Sequence, residues 1–185
     1  MVPPVNSFFR NLRPNASFRK RLSALGLLFL CVLPQTVWAG TVVPYVTEAA
    51  PGTIVINANQ RKLFFVLGGG KAVSYPIGAP RHGDEWSGRA TVNGKFVRPD
   101  WIPPPEVKIE EPFLPDRVKG GAPNNPMGAR AITLDRTDIA IHGSTRRMRS
   151  TIGGAASHGC IRMFNEDVID LYNRVHVGTP VVMLP

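Results

Sequence analysis

Thr53-Ile-Val-Ile56, Lys62-Leu-Phe-Phe-Val-Leu67 and Ala72-Val-Ser-Tyr-Pro-Ile77 are three short runs rich in β-branched and aromatic residues. Asn57-Ala-Asn59 separates the first from the second, and Gly68-Gly-Gly70 the second from the third. Asn and Gly accept the left-handed backbone that a tight reversal needs, so this stretch predicts a β-meander. Further out, Ala131-Ile-Thr-Leu134 and Ile139-Ala-Ile141 predict two more strands around a turn at residues 135–138. Thr179-Pro-Val-Val-Met-Leu184 predicts a last one. One helix is expected, with Asn165 as its N-cap and Glu166 and Asp167 at the positive end of its dipole. Val168, Leu171, Tyr172 and Val175 would form its apolar face. The expected fold is mainly β, with that helix packed on it.

A chain of 185 residues suits one domain or two very small ones. Hydrophobic residues at 43%, charged residues at 19%, 18 Gly and 18 Pro describe a loop-rich globular protein. They exclude a coiled coil, a collagen-like fibre and a wholly disordered chain. The formal charge of +9 invites a nucleic-acid partner. Its distribution argues otherwise. Arg10, Arg13, Arg19, Lys20 and Arg21 crowd the first 21 positions with no acidic residue among them. They precede an apolar run at residues 22–33 and the exit Val37-Trp38-Ala39. That order is the signature of a secretory signal peptide, and the run is too short to span a bilayer. Cleavage is expected after Ala39. It would remove five cations and 39 residues, leaving 146 residues with a charge of +4. Most of the support for nucleic-acid binding leaves with the leader. The expected organisation is a signal peptide at 1–39, an extended linker at 40–51 and a single domain at 52–185.

Cys31 and Cys160 are the two cysteines. Cys31 lies in the apolar run, and Leu30 before it argues against a lipidation site. An exported protein would keep Cys160 alone in an oxidising compartment, as an intermolecular disulfide, an inert buried thiol or a reactive group. Its neighbours favour reactivity. Ile141-His142-Gly143-Ser144 is followed, after a gap of fourteen residues from His142, by Ser157-His158-Gly159-Cys160-Ile161-Arg162-Met163. A thiol attacks as thiolate, and an unperturbed cysteine with a pKa of about 8.5 is only slightly ionised near neutrality. An adjacent imidazole raises that fraction and can later protonate a leaving amine. Glycines at 143, 153, 154 and 159 would let backbone N–H groups approach a substrate, as an oxyanion hole requires.

The His142 and Ser157-His-Gly-Cys-Ile-Arg162 pattern resembles the signature of the YkuD-type L,D-transpeptidases, a family of bacterial cell-envelope enzymes. Trp101-Ile-Pro-Pro-Pro105 and Asn125-Pro-Met-Gly-Ala-Arg-Ala-Ile132 resemble segments of its Gram-negative branch. The resemblance covers residues 51–185. It implies a β-sandwich whose site lies under a loop-formed lid. Cys160 would be the nucleophile and His142 its base, oriented by the Gly143 carbonyl. His158 and Gly159 would shape the site and its oxyanion hole, with the Cys160 N–H as donor and Ser157 as a supporting hydroxyl. Arg162 would bind a carboxylate of a peptidoglycan stem peptide, a task that suits a guanidinium fork. The reaction implied releases D-Ala from a tetrapeptide stem and passes the stem to an amine. The product is a 3→3 cross-link or an envelope protein anchored to the wall. No cofactor or metal is expected; the protein would act as a monomer in the periplasm. Rival readings are a cysteine L,D-carboxypeptidase or amidase, and a non-catalytic wall-binding module.

Where many members carry Thr-Pro-x-Gly, this chain has Trp86-Ser-Gly88-Arg-Ala90-Thr. Zinc ligation by His142, His158 and Cys160 lacks a near fourth ligand, since His176 lies beyond the helix. Redox chemistry would want a Cys-x-x-Cys pair. His82 reads as a solvated loop residue, and Arg146-Arg-Met-Arg149 as a solvated loop or a contact for anionic polymer. Residues 97–126 hold 8 of the 18 prolines, too many for a central strand, and are expected to form a lid closing through Trp101, Ile102 and Phe113.

Overall fold

The computed structural model describes residues 39–185. Apart from Ala39, the expected signal segment and Cys31 lie outside the described residues. The meander appears as β2 (Ile54–Asn57), β3 (Lys62–Gly68) and β4 (Lys71–Pro76), paired antiparallel with Ile54 opposite Phe65 and Phe65 opposite Val73. The other expected strands appear as β7 (Arg130–Leu134), β8 (Ala140–His142) and β11 (Pro180–Leu184). The helix is α2 (Asn165–Arg174). Strands β1 (Thr41–Pro44), β5 (Ala79–Pro80), β6 (Gly88–Val97), β9 (Ala155–Ser157) and β10 (Ile161–Arg162), with helix α1 (Pro105–Glu110), complete the elements.

Nine strands run in the order β1-β4-β3-β2-β11-β6-β7-β8-β10, and β5 pairs with β9. The ten-residue β6 turns the corner. Its first half pairs with β11 and its second half with β7, across a register irregularity between Val92 and Gly94. Both halves of the sheet contribute to one core: Ile54, Leu63, Tyr75, Ile132, Ile141, Ile161, Met183 and others, closed by Val168 and Leu171 of α2 and by Val175 just after it. The result is the expected β-sandwich.

Three expectations need correction. Residues 41–51 are not a free linker. β1 pairs with β4, and the Tyr45 ring stacks on Phe64 at 4.3 Å. Phe64 and Val66 alternate onto the outer face of β3, where their apolar surface needs cover that Val43, Tyr45 and Ala49 supply. Asn165 does not cap α2: Phe164 holds the N-cap position without a side-chain bond. Residues 97–126, expected as a proline-rich loop without regular structure, contain a helix, since Pro104-Pro-Glu starts α1 with a proline at its first turn. β6 escaped the sequence reading because Gly88, Asn93 and Gly94 interrupt its apolar alternation. Only its inward positions are buried, at small residues such as Ala90 and Val92.

Candidate active site

Strand geometry gathers the site. β10 lies parallel to β8, with Ile161 opposite Ile141 and Arg162 opposite His142. Ile141 and Ile161 are fully buried in the core. Side chains alternate along a strand, so Ala140, His142, Cys160 and Arg162 turn to the other face. There His142, Ser157, His158, Cys160 and Arg162 line one groove of about 840 Å³. Its opposite wall comes from the proline-rich segment through Trp101, Pro104, Val107, Leu114 and Pro126. That segment is pinned at its base by reciprocal backbone bonds between Trp101 and Val118 at 2.9 and 2.8 Å. Asn125 reinforces it, donating to the carbonyls of Pro99, Val118 and Lys119. Trp101 lines the groove as expected, whereas Ile102 and Phe113 are 70% and 99% exposed and do not line it.

His142 is buried at the end of β8, with Nδ1 2.8 Å from the Gly143 carbonyl oxygen. Burial, reinforced by the Arg162 charge, lowers its pKa to about 4, against the pull of the Gly143 and Pro126 carbonyls. The imidazole is therefore neutral at pH 7. The Cys160 thiol donates to the Asp138 carbonyl at 3.3 Å and accepts from the Ala140 N–H at 3.4 Å. Burial pushes its pKa up despite that N–H and the Arg162 charge. In this resting arrangement the nucleophile candidate is a neutral thiol facing a neutral base, not a preformed ion pair.

Among the described residues, Arg162 is a half-buried guanidinium with no carboxylate partner. There its one side-chain hydrogen bond is to Thr151 Oγ1 at 3.5 Å, and its Nε is buried without a hydrogen bond. A buried cation left unpaired in a groove is set up to receive an anion. Ser157 is buried, and its hydroxyl donates to the Cys160 carbonyl, bracing the turn that carries the thiol. Gly159 has φ +109°, and a Cβ there would meet Ile139 Cδ1 at 2.5 Å, so this position demands glycine.

The structure redistributes other roles. The N–H groups of Gly143, Gly153 and Gly154 are bonded to backbone carbonyls of Met127 and Arg130, Ile77 and Thr151 respectively, and are not free for a substrate. His158 Nε2 donates to the Glu110 carboxylate of α1 at 2.9 Å, and Glu110 also accepts from Arg81 at 2.6 Å. Arg81, then His158, hold the Glu110 carboxyl down near 2. Among the described residues, no three His, Cys, Asp or Glu side chains converge as metal ligands. Of the basic run, Arg146 and Arg147 border the groove, while Arg149 makes a two-point pair with Glu166 and stacks on Phe164. His82 is exposed beside Glu85 and does not line the groove.

Sequence reading missed Trp86, Arg81, Glu110 and Asn165. Trp86 Nε1 donates to the Gly159 carbonyl at 3.0 Å from 73 positions away, a partner that no local pattern could announce.

Residues 51–183 match the model of the YkuD family, the L,D-transpeptidase catalytic domain. The probable L,D-transpeptidase YbiS of Escherichia coli K12 is 34% identical over 160 residues, covering 81% of this chain and 46% of that protein. The probable L,D-transpeptidase ErfK/SrfK of the same strain is 34% identical over 162 residues, covering 83% of this chain and 46% of its own length. The chain thus spans about half the length of these curated relatives. Among solved structures, one from Brucella melitensis described as a probable carnitine operon oxidoreductase is 40% identical. It covers 80% of this chain and 94% of its own, with a TM-score of 0.52. An L,D-transpeptidase from Mycobacterium smegmatis shares the fold at 16% identity, with a TM-score of 0.55 over 72% of this chain and 58% of its own. From the family match, the two relatives and the shared fold, the chain belongs to the L,D-transpeptidase catalytic-domain family.

Proposed function

We propose that the protein is a cysteine-dependent L,D-transpeptidase acting on peptidoglycan stem peptides in the periplasm, after cleavage behind Ala39. The observation that carries this reading is the opening of Cys160, His142 and the unpaired Arg162 guanidinium into one lidded groove. Cys160 Sγ attacks the carbonyl carbon of the L-centre residue that precedes the terminal D-Ala of a tetrapeptide stem. His142, neutral at pH 7, takes the thiol proton as the S–C bond forms. Collapse of the tetrahedral intermediate breaks the C–N bond, and D-Ala leaves with the proton returned by His142. An acceptor amine then attacks the thioester, gives its proton to His142, and Sγ departs as the thiol is restored. Arg162 holds a stem carboxylate, and the lid excludes water so that an amine outcompetes hydrolysis. The acceptor is a neighbouring stem or an envelope protein.

Purified protein incubated with disaccharide tetrapeptide should release D-Ala and show a stem adduct on Cys160 by intact mass. Cys160→Ala should form none, and His142→Ala should form it about 10²–10⁴-fold more slowly. A folded protein that forms no adduct would leave a wall-binding module. An adduct resolved only by water would leave a carboxypeptidase. A processed chain whose N-terminus lies far from Gly40, or one retained in the cytoplasm, would overturn the export reading.

A further inference from the structure

We propose that Asn165 is a positioning residue for His142, gripping one end of the peptide group whose other end holds the imidazole. The proposal rests on the reading of His142 as the base. The Gly143–Ser144 peptide unit carries both contacts. Its carbonyl accepts from His142 Nδ1 at 2.8 Å, and its N–H donates to Asn165 Oδ1 at 3.1 Å. A peptide unit is planar, so fixing the N–H fixes the direction of the carbonyl. Donation to Oδ1 also polarises the unit and makes the Gly143 oxygen a stronger acceptor. The same Oδ1 accepts from the Ala129 N–H at 2.9 Å, and Asn165 Nδ2 donates to the Ser144 carbonyl at 2.9 Å. These three contacts to two loops use the side chain that sequence reading assigned to capping α2.

Two glycines record the approach. A Cβ on Gly143 would lie 2.2 Å from Asn165 Oδ1, and one on Gly128 would lie 2.4 Å from it. Gly143 has no positive φ, so its missing side chain serves to admit Asn165 rather than to relieve the backbone. With the carbonyl so aimed, the Nδ1 proton of the neutral ring is held on Gly143 and Nε2 is left bare. Nε2 is then the atom available to take a proton within the groove. A loosened peptide group would let the ring turn and sample the other tautomer. A misplacement of about 1 Å in a catalytic group can cost on the order of a hundredfold in rate.

The test compares wild type, Asn165→Ala, His142→Ala and the double variant. Adduct formation on Cys160 with disaccharide tetrapeptide is followed by intact mass, and the His142 tautomer by 15N-histidine NMR at pH 7. Expected is a 10- to 100-fold slower acylation in Asn165→Ala with KM little changed. In the His142→Ala background, the same change should slow the reaction less than twofold, because residues acting as a unit are not additive. The NMR should show Nδ1–H in wild type and a mixture in Asn165→Ala. An equal rate loss with and without His142, or an unchanged tautomer, would overturn the proposal. Should Asn165→Ala not fold, Asn165→Ser, too short to reach the Ser144 N–H, is judged by the same criteria. Were wild type to form no adduct, the acyl-transfer reading would fall while the tautomer measurement still decides the role of Asn165.

Discussion

Arg162 stands opposite His142 in the parallel pairing of β10 with β8, and its charge is second only to burial in lowering the histidine pKa to about 4. The pair joins two demands in one place. In the proposed mechanism, a carboxylate-binding cation and a base that must stay unprotonated would be neighbours, and the first would protect the second. Arg162→Gln should therefore act on both. The His142 pKa should rise from about 4 without reaching the ordinary 6.5, since burial remains, and KM for the stem peptide should rise about 10- to 100-fold for a lost charged hydrogen bond. NMR titration and initial rates check it. An unchanged KM would remove Arg162 from the substrate site.

Thiol chemistry should separate from catalysis in its pH dependence. Alkylation by iodoacetamide follows the free thiolate, and burial raises the Cys160 pKa, so the alkylation midpoint should lie above the usual value of about 8.5. Acylation through a neutral base should instead be level from about pH 5 to 8, falling only as His142 protonates near pH 4. Coincident profiles with a midpoint below 7 would mean a preformed ion pair.

Glu110 of α1 bridges Arg81 and His158, which ties the proline-rich segment proposed as a lid to the site. Glu110→Gln should loosen α1 and raise hydrolysis relative to transfer, because an acyl-thioester waits for its amine only where water is limited. Shortening the segment between Ile102 and Pro123 should do the same more strongly while leaving Cys160 acylation measurable. Product ratios by mass spectrometry decide, and an unchanged ratio in both variants would remove the lid role.

Asp167 couples stability to pH. It is buried in the first turn of α2, and burial, then the charges of Glu166 and Asp170, lift its pKa from 3.8 to about 6 against the Gly40 N–H, 3.2 Å away. Between pH 4 and 6 the folded state retains a proton that the unfolded state releases, so this group's contribution falls as pH rises through that window. Asp167→Asn should remove that slope and stabilise the protein at pH 7 by on the order of 1–3 kcal/mol. Urea unfolding of a chain in which Ala39 still precedes Gly40 measures it. Equal pH slopes in the two proteins would refute the assignment. A chain that begins at Gly40 brings an ammonium to Asp167 and should show a smaller slope.

Local pattern was enough for much of this protein. The meander from β2 to β4, the strands β7, β8 and β11 and the apolar face of α2 follow from periods of 2 and 3.6 residues and from Asn and Gly at the reversals. The grouping of His142, Ser157, His158, Cys160 and Arg162 was legible too. It came from the spacing of His142 and Ser157–Arg162 and the family resemblance, while the short strand β10 that pairs with β8 to bring them together was not predicted. What local pattern could not carry is every feature whose partner is remote. β1 covers Phe64, β6 turns the corner with glycines that break its alternation, and Trp86 reaches the Gly159 carbonyl. Asn165 shows the limit most clearly. Beside Glu166 and Asp167 it reads as a helix cap, yet its amide goes to Ala129 and Ser144, 36 and 21 residues earlier. A short polar side chain bonds whichever backbone groups lie nearest. The sequence determines that Asn165 opens a helix, and only the packing of α2 against β7 and β8 decides which groups those are.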